Sequence, residues 1–181
     1  MRFEIKKSII CVFLAFTVVF GLYACNPKGN NDTKGSGSVS SSVQKNYETK
    51  EYKIFDVLSK LKLHGRNYKD DTLSQMTFFW TASGIEFDFE GTEVSAEITA
   101  KYWSENQATY LVAVIDGKAN EKIKLEVETK WYDLAKDLTS GKHNVKILKN
   151  TEAQSNTMSI SALKIKGDFL DAPKPAARRI E

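Results

Sequence analysis

Apolar and polar residues alternate through much of the chain. Ile85, Phe87 and Phe89 interleave with Glu86, Asp88 and Glu90, and Val94, Ala96, Ile98 and Ala100 with Glu93, Ser95, Glu97 and Thr99. Ile123, Leu125 and Val127 do the same with Lys122, Lys124, Glu126 and Glu128. Successive side chains of a strand point to opposite faces, so this period of two predicts antiparallel strands with one face on a core and one in water. Glu86, alternating outward from Phe87, reads as part of a solvated face.

Turn residues divide the runs. Glu90-Gly91-Thr92 predicts a turn between two strands. Asp116-Gly117 predicts a hairpin joining residues 110–115 to residues 122–127, and Ser140-Gly141-Lys142 leads into a strand over 143–149. The run Leu111-Val-Ala-Val-Ile115 does not alternate and fits a central strand covered on both faces. Tyr132-Asp-Leu-Ala-Lys-Asp-Leu138 is a mixed segment, since Leu134 and Leu138 also fit one face of a helix. Many short strands at this spacing predict an all-β fold, a sandwich or a barrel. The 124 residues from 47 to 170 are enough for one core, and Pro173 and Pro175 make 171–181 a linker.

The N-terminus has a different pattern. Arg2, Lys6 and Lys7 precede an almost unbroken apolar run from residue 9 to residue 20, which reads as an export signal over 1–24. The run ends in Leu22-Tyr23-Ala24-Cys25, which resembles a bacterial lipoprotein box with Cys25 as the lipidated residue. A non-lipidated signal or an uncleaved anchor is the alternative. Lipid on Cys25 would hold the protein to a membrane, and Asn26 after it favours an outer or surface location in the cell envelope. Residues 25–46 are rich in Gly, Ser and Asn and form a flexible tether with an r.m.s. span of roughly 25 Å.

Charge narrows the partners. Arg2, Lys6 and Lys7 against Glu4 place +2 of the net +3 in the first 24 residues, so the remainder is close to neutral. Interspersed charges of both signs give no footprint for nucleic acid. Of the two cysteines, Cys11 lies in the signal and Cys25 carries the lipid, so the mature chain has no thiol for a disulfide, a metal site or catalysis.

The chain contains no Gly-Asp-Ser and no Gly-x-Ser-x-Gly. Ser83-Gly84 opens a strand and has no Asp before it. The two histidines, His64 and His143, are not paired in sequence with a nucleophile, and His143 reads as a turn residue at a strand start. No catalytic residue, metal site or cofactor is therefore assigned; Asp70-Asp71 lacks the spacing of a calcium loop. Sugar binding remains, because aromatic faces stack on the apolar faces of sugar rings. Trp103, in the polar stretch Lys101-Tyr-Trp-Ser-Glu-Asn106, and Trp131 with Tyr132 are the candidates, with core or rim packing as the alternative for each. Trp80, beside Phe78-Phe79, is expected in the core.

Four stretches carry a resemblance: Gly65-Arg66, Trp80-Thr-Ala-Ser-Gly-Ile-Glu-Phe87, Tyr110-Leu-Val-Ala-Val-Ile-Asp-Gly117 and His143-Asn-Val-Lys-Ile-Leu-Lys-Asn-Thr-Glu152. In this order and spacing they resemble the N-terminal β-sandwich of carbohydrate esterase family 2, the acetyl esterases of xylan and related polysaccharides. The resemblance implies a jelly-roll-like antiparallel β-sandwich followed by a Gly-Asp-Ser-type (SGNH) hydrolase domain, with a junction like Arg178-Arg179-Ile180-Glu181. The catalytic Ser and His of such enzymes lie in that hydrolase domain, so this chain is expected to lack the chemistry. It also implies a strand and short turn over 132–138, and for Arg66 an ion pair or a domain contact. The expected function is the accessory domain of a surface-anchored esterase acting on acetylated plant polysaccharide, where it lines the substrate cleft or stabilises the hydrolase domain. The alternatives are a stand-alone carbohydrate-binding lipoprotein and a fragment without independent function.

Overall fold

A computed structural model of the chain describes residues 45–152 and 156–174. The expected lipoprotein signal with Cys25, almost all of the expected tether and the end of the expected linker lie outside them. The strands are β1 (Thr49–Lys53), β2 (Lys62–His64), β3 (Asn67–Asp70), β4 (Gln75–Phe78), β5 (Gly84–Lys101), β6 (Tyr110–Ile115), β7 (Lys118–Ala119), β8 (Ile123–Lys124), β9 (Lys130–Ala135), β10 (Gly141–Lys149) and β11 (Thr157–Phe169). A 3₁₀ segment, Ile54–Lys60, joins β1 to β2 and sends Ile54 and Val57 into the core. The fold is an all-β sandwich, as the alternation predicts.

The long strand β5 organises it. Its first half pairs with β10 on one side and β2 on the other, and its second half lies between β9 and β11. Outside these, β6 pairs with β10, β4 and β1 pair with β11, and β3 pairs with β4. Every pairing is antiparallel, and one connected sheet folds over so that its inner faces share a single core. That core takes Ile85, Phe87 and Phe89 from one half of β5 and Val94, Ala96 and Ile98 from the other, all 0% exposed. Opposite them sit Leu111 and Ala113 of β6, Val145 and Ile147 of β10, and Met158, Ile160 and Ile165 of β11. Phe87 also packs on Phe169, ring centroids 5.3 Å apart. Each large apolar side chain buried this way contributes roughly 1.5–3 kcal/mol before entropy is counted.

The structure corrects the expected turn at Glu90-Gly91-Thr92. The chain does not reverse there; β5 runs through it as one strand of 18 residues. Gly91 is where the strand passes from one half of the sheet to the other, beside a register shift between Lys166 and Gly167. A Cβ on Gly91 would sit 2.2 Å from the carbonyl oxygen of Lys166, so only glycine allows the two backbones to meet at that bend.

The hairpin at Asp116-Gly117 is present and tighter than expected. Asp116 (φ 50°) and Gly117 (φ 82°) both take left-handed conformations, as a two-residue turn between twisted strands requires. The returning strand is β7, directly after the turn; β8 then pairs further along β6 and covers only Ile123–Lys124. Strand β6 is not covered on both faces: Leu111, Ala113 and Ile115 are buried, whereas Val112 and Val114 are half-buried on the outer side. The mixed segment resolves into β9, which buries Leu134.

Candidate functional site

The outer face of β2, β5 and β10 carries a cluster that alternation alone does not reveal. The register sets Glu86 directly opposite Lys62 of β2 on one side and Lys146 of β10 on the other. His64 and Asn144 occupy the diagonal positions, within side-chain reach on a pleated sheet. Lys62 Nζ lies 3.1 Å and His64 Nε2 2.8 Å from Glu86 Oε2. Asn144 Nδ2 donates to Glu86 Oε1 at 3.2 Å and to Asp88 Oδ1 at 2.7 Å, bridging two like charges. Lys146 Nζ stands 3.7 Å from Glu86 Oε1.

Glu86 is therefore not solvated. It is 6% exposed, because the longer side chains around it close over the carboxylate. Burial alone would raise its pKa; donors from Lys62, His64 and Asn144 and the charge of Lys146 overcome that and hold it at about 2. Close strand packing helps to build the cluster: Gly84 sits where a Cβ would come within 1.9 Å of the Ile147 carbonyl oxygen.

Both histidines are committed to fixed acceptors. His64 donates to Glu86. His143 is more than the expected turn residue: it is buried, with Nδ1 2.7 Å from Asp116 Oδ2 and Nε2 2.7 Å from the Thr139 carbonyl oxygen. Burial pushes the Asp116 carboxyl up, but the hydrogen bonds from His143 and the Asn144 backbone N–H hold it below its ordinary value. Ser83 is 0% exposed and its hydroxyl donates to the Trp80 carbonyl oxygen at 2.5 Å. No group of three or more His, Cys, Asp or Glu side chains suited to a metal ion occurs among the described residues.

The structure separates the predicted sugar-binding aromatics. Trp103 lies past the end of β5 and is 87% exposed. Trp131 and Tyr132 are neighbours on β9 and therefore face opposite sides of the sheet. Trp131 lies under the Lys164 ammonium, 4.0 Å from ring centroid to Nζ. Tyr132 packs against the core, and its hydroxyl accepts the Glu126 backbone N–H at 2.8 Å. Trp80, expected in the core, is 51% exposed: Phe78 takes the inward position at the end of β4, and the turn beyond carries Trp80 into solvent.

The Glu86 cluster is not apparent from the alternation, in which Glu86 reads as a solvated position. Its trace in the sequence is a pair of polar residues two apart on each of three separate strands: Lys62 and His64, Glu86 and Asp88, Asn144 and Lys146.

Comparison with known proteins matches this architecture. The profile of the family Carbohydrate esterase 2 N-terminal covers residues 63–173. The cellulase/esterase CelE of Acetivibrio thermocellus is 32% identical over 103 residues, which are 56% of this chain and 12% of that protein. A family two carbohydrate esterase from Cellvibrio japonicus has the same fold, with a TM-score of 0.62 and 23% identity over 72% of this chain and 37% of its own. A family two carbohydrate esterase from Clostridium thermocellum, solved in complex with cellohexaose, aligns with a TM-score of 0.59 and 26% identity over 65% of this chain and 35% of its own. The chain thus spans about one eighth of the curated relative and just over a third of these solved structures. With the profile extending over more than half of its length and the sandwich shared with these esterases, the chain belongs to the carbohydrate esterase 2 N-terminal family.

Proposed function

We propose that this chain acts as the accessory N-terminal part of an esterase that removes acetyl groups from plant polysaccharide such as xylan. In this reading it is non-catalytic by itself and is held at the cell envelope by lipid on Cys25. The observation that carries the non-catalytic role is that neither histidine hydrogen-bonds a serine among the described residues: His64 Nε2 is on Glu86, and both ring nitrogens of His143 are taken by Asp116 and Thr139. Ser83, the serine nearest in sequence to a nucleophile turn, is buried on a carbonyl oxygen. The chemistry belongs to a Gly-Asp-Ser-type hydrolase domain. Its serine attacks the acetyl ester, releases the sugar hydroxyl and leaves an acetyl-enzyme for water to hydrolyse. The cellohexaose complex of the Clostridium thermocellum relative supports a β-1,4-linked glycan as the polymer.

The Glu86 face suits a bracing role against such a domain. Val112, Val114 and Leu148 lie half-buried beside the charged cluster. The chain leaves β11 close by: the Leu170 N–H donates to the Asp88 carbonyl oxygen, and Lys60 pairs with Asp171 at 2.8 Å. The test is acetate release from acetylated xylan by the purified chain. The expected rate equals that of a heat-inactivated control, and release above it overturns the non-catalytic reading. Labelling with radioactive palmitate tests the anchor: label and membrane association should both disappear in Cys25→Ser.

A further inference from the structure

Resting on the polysaccharide reading above, we propose that the aromatic end of the sandwich is a glycan subsite of its own. It would take the unacetylated apolar ring faces of a neutral β-1,4-linked chain, with Trp103 as the stacking platform.

Three separate segments build this surface in the same way, each placing an apolar residue outward just past a core residue. Phe78 is 0% exposed and Phe79 is 39% exposed. Ala100 is buried at the end of β5, and Tyr102 and Trp103 follow it. Leu125 is 0% exposed and Val127 is 51% exposed. Phe79, Tyr102, Trp103 and Val127, with Asn156 and Thr157, line one open pocket of about 520 Å³. That volume falls within the roughly 300–1,000 Å³ typical of small-ligand sites. A lone exposed apolar side chain needs no explanation, but a contiguous group of large ones marks a binding surface.

The walls are held in place before any ligand arrives. Asn156 Nδ2 donates to the Gln107 carbonyl oxygen at 3.2 Å, and Thr109 Oγ1 to that of Thr157 at 3.3 Å. The Leu125 N–H donates to the Thr109 carbonyl oxygen at 2.8 Å, and the Ala100 N–H to that of Glu126 at 3.3 Å.

The polar groups favour an uncharged ligand with hydroxyls. Asn156 and Thr157 are the uncharged polar residues of the lining, and Lys101 is its charged residue. Thr157 Oγ1 is buried and has no hydrogen-bond partner among the described residues, so the fold leaves one polar group of this wall unsatisfied. A β-1,4-linked glucan or xylan has equatorial hydroxyls around flat C–H faces, which suits an aromatic platform with few charges beside it. An anionic glycan would find one cation here, and a nucleic acid would need far more.

Isothermal titration of the full chain with cellohexaose and xylohexaose tests the site, with Trp131→Ala as control. Trp103→Ala should lose about tenfold or more in affinity, a loss near 1.4 kcal/mol, while Trp103→Phe keeps part of it and Trp131→Ala binds as the wild type does. Unchanged circular dichroism in Trp103→Ala separates lost contact from lost fold. Equal binding by Trp103→Ala and wild type would overturn the proposal, as would no binding of either hexasaccharide. Self-association of the wild type that Trp103→Ala abolishes would also overturn it, by giving the patch a second copy as occupant. Acetate release by the chain alone would sink the non-catalytic reading but leave this site standing. A tight Trp103-independent complex would do the reverse.

Discussion

Near the start of β5 a carboxylate, Glu86, is 6% exposed although it lies on the outer face of its sheet; two residues past the end of the same strand a tryptophan, Trp103, is 87% exposed. Both depart from the rule that charge faces water and large apolar groups face the core. They differ in what surrounds them. Glu86 has donors on both neighbouring strands, and its burial is compensated within the domain. Trp103 and its neighbours have no comparable cover among the described residues. Compensated burial holds this sheet together, whereas uncompensated exposure leaves a surface for something outside the domain. The first region reads as architecture, and the second is the surface proposed for recognition.

Substitutions can break or sharpen that contrast. The largest effect should come from the core position behind Glu86. Phe87→Ala removes a ring that is 0% exposed and should cost about 3–5 kcal/mol in urea unfolding, enough to endanger both regions.

Glu86→Gln should cost less, about 1–3 kcal/mol at neutral pH, because the charge-assisted hydrogen bonds are lost while Lys62, His64 and Lys146 still reach water. Its pH dependence is the sharper test. The carboxyl pKa is lowered from the ordinary 4.5 to about 2 in the folded chain, so its contribution is complete above about 4.5 and is lost as pH falls towards 2. Unfolding curves between pH 5 and 2 should converge for wild type and Glu86→Gln. A constant gap would mean that Glu86 stabilises by packing rather than by charge.

Lys149, at the end of the sandwich, gives a pH effect of the same sense in an alkaline window and from the opposite cause, because its charged form is disfavoured by burial. Its side chain is 1% exposed, with Nζ on the carbonyl oxygens of Thr151 and Glu152 at 2.6 and 3.0 Å, and burial lowers its pKa from 10.5 to about 8. Below pH 8 both states hold the proton. Between about 8 and 10.5 the unfolded chain holds more of it, so stability should rise with pH by up to about 1.4 kcal/mol per unit. Lys149→Met should flatten that rise in chemical denaturation at pH 7 to 10.

The smallest effect on stability belongs to the most exposed aromatic. Trp103→Ala should shift unfolding by no more than about 0.5 kcal/mol. A larger loss would place Trp103 in the architecture and erase the contrast with Glu86.

The alternation of Phe87 with Glu86 is local, so it was legible without coordinates, as was the turn chemistry of Asp116-Gly117. What failed had non-local causes. Gly91 looks like a turn until β11 is seen crossing it, where Lys166 leaves no room for a Cβ. Trp80 looks like core because it follows Phe78-Phe79, but a strand end fixes only alternate positions and the turn beyond is free to point out. Trp131 and Tyr132 look like one platform in sequence and lie on opposite faces in the sheet.

The sequence by itself determined the all-β class, most of the inward-facing core residues (Val127 and Trp80 being exceptions) and, through four short motifs, the family. Each follows from steric periods or motifs written within a few residues. Only the tertiary structure decided that Glu86 would meet His64 across 22 residues and Asn144 across 58, and that Phe79, Trp103 and Val127 would share one pocket. Those meetings depend on strand register and on the bend of β5, which are set by how the whole sheet closes on its core rather than by any segment of it.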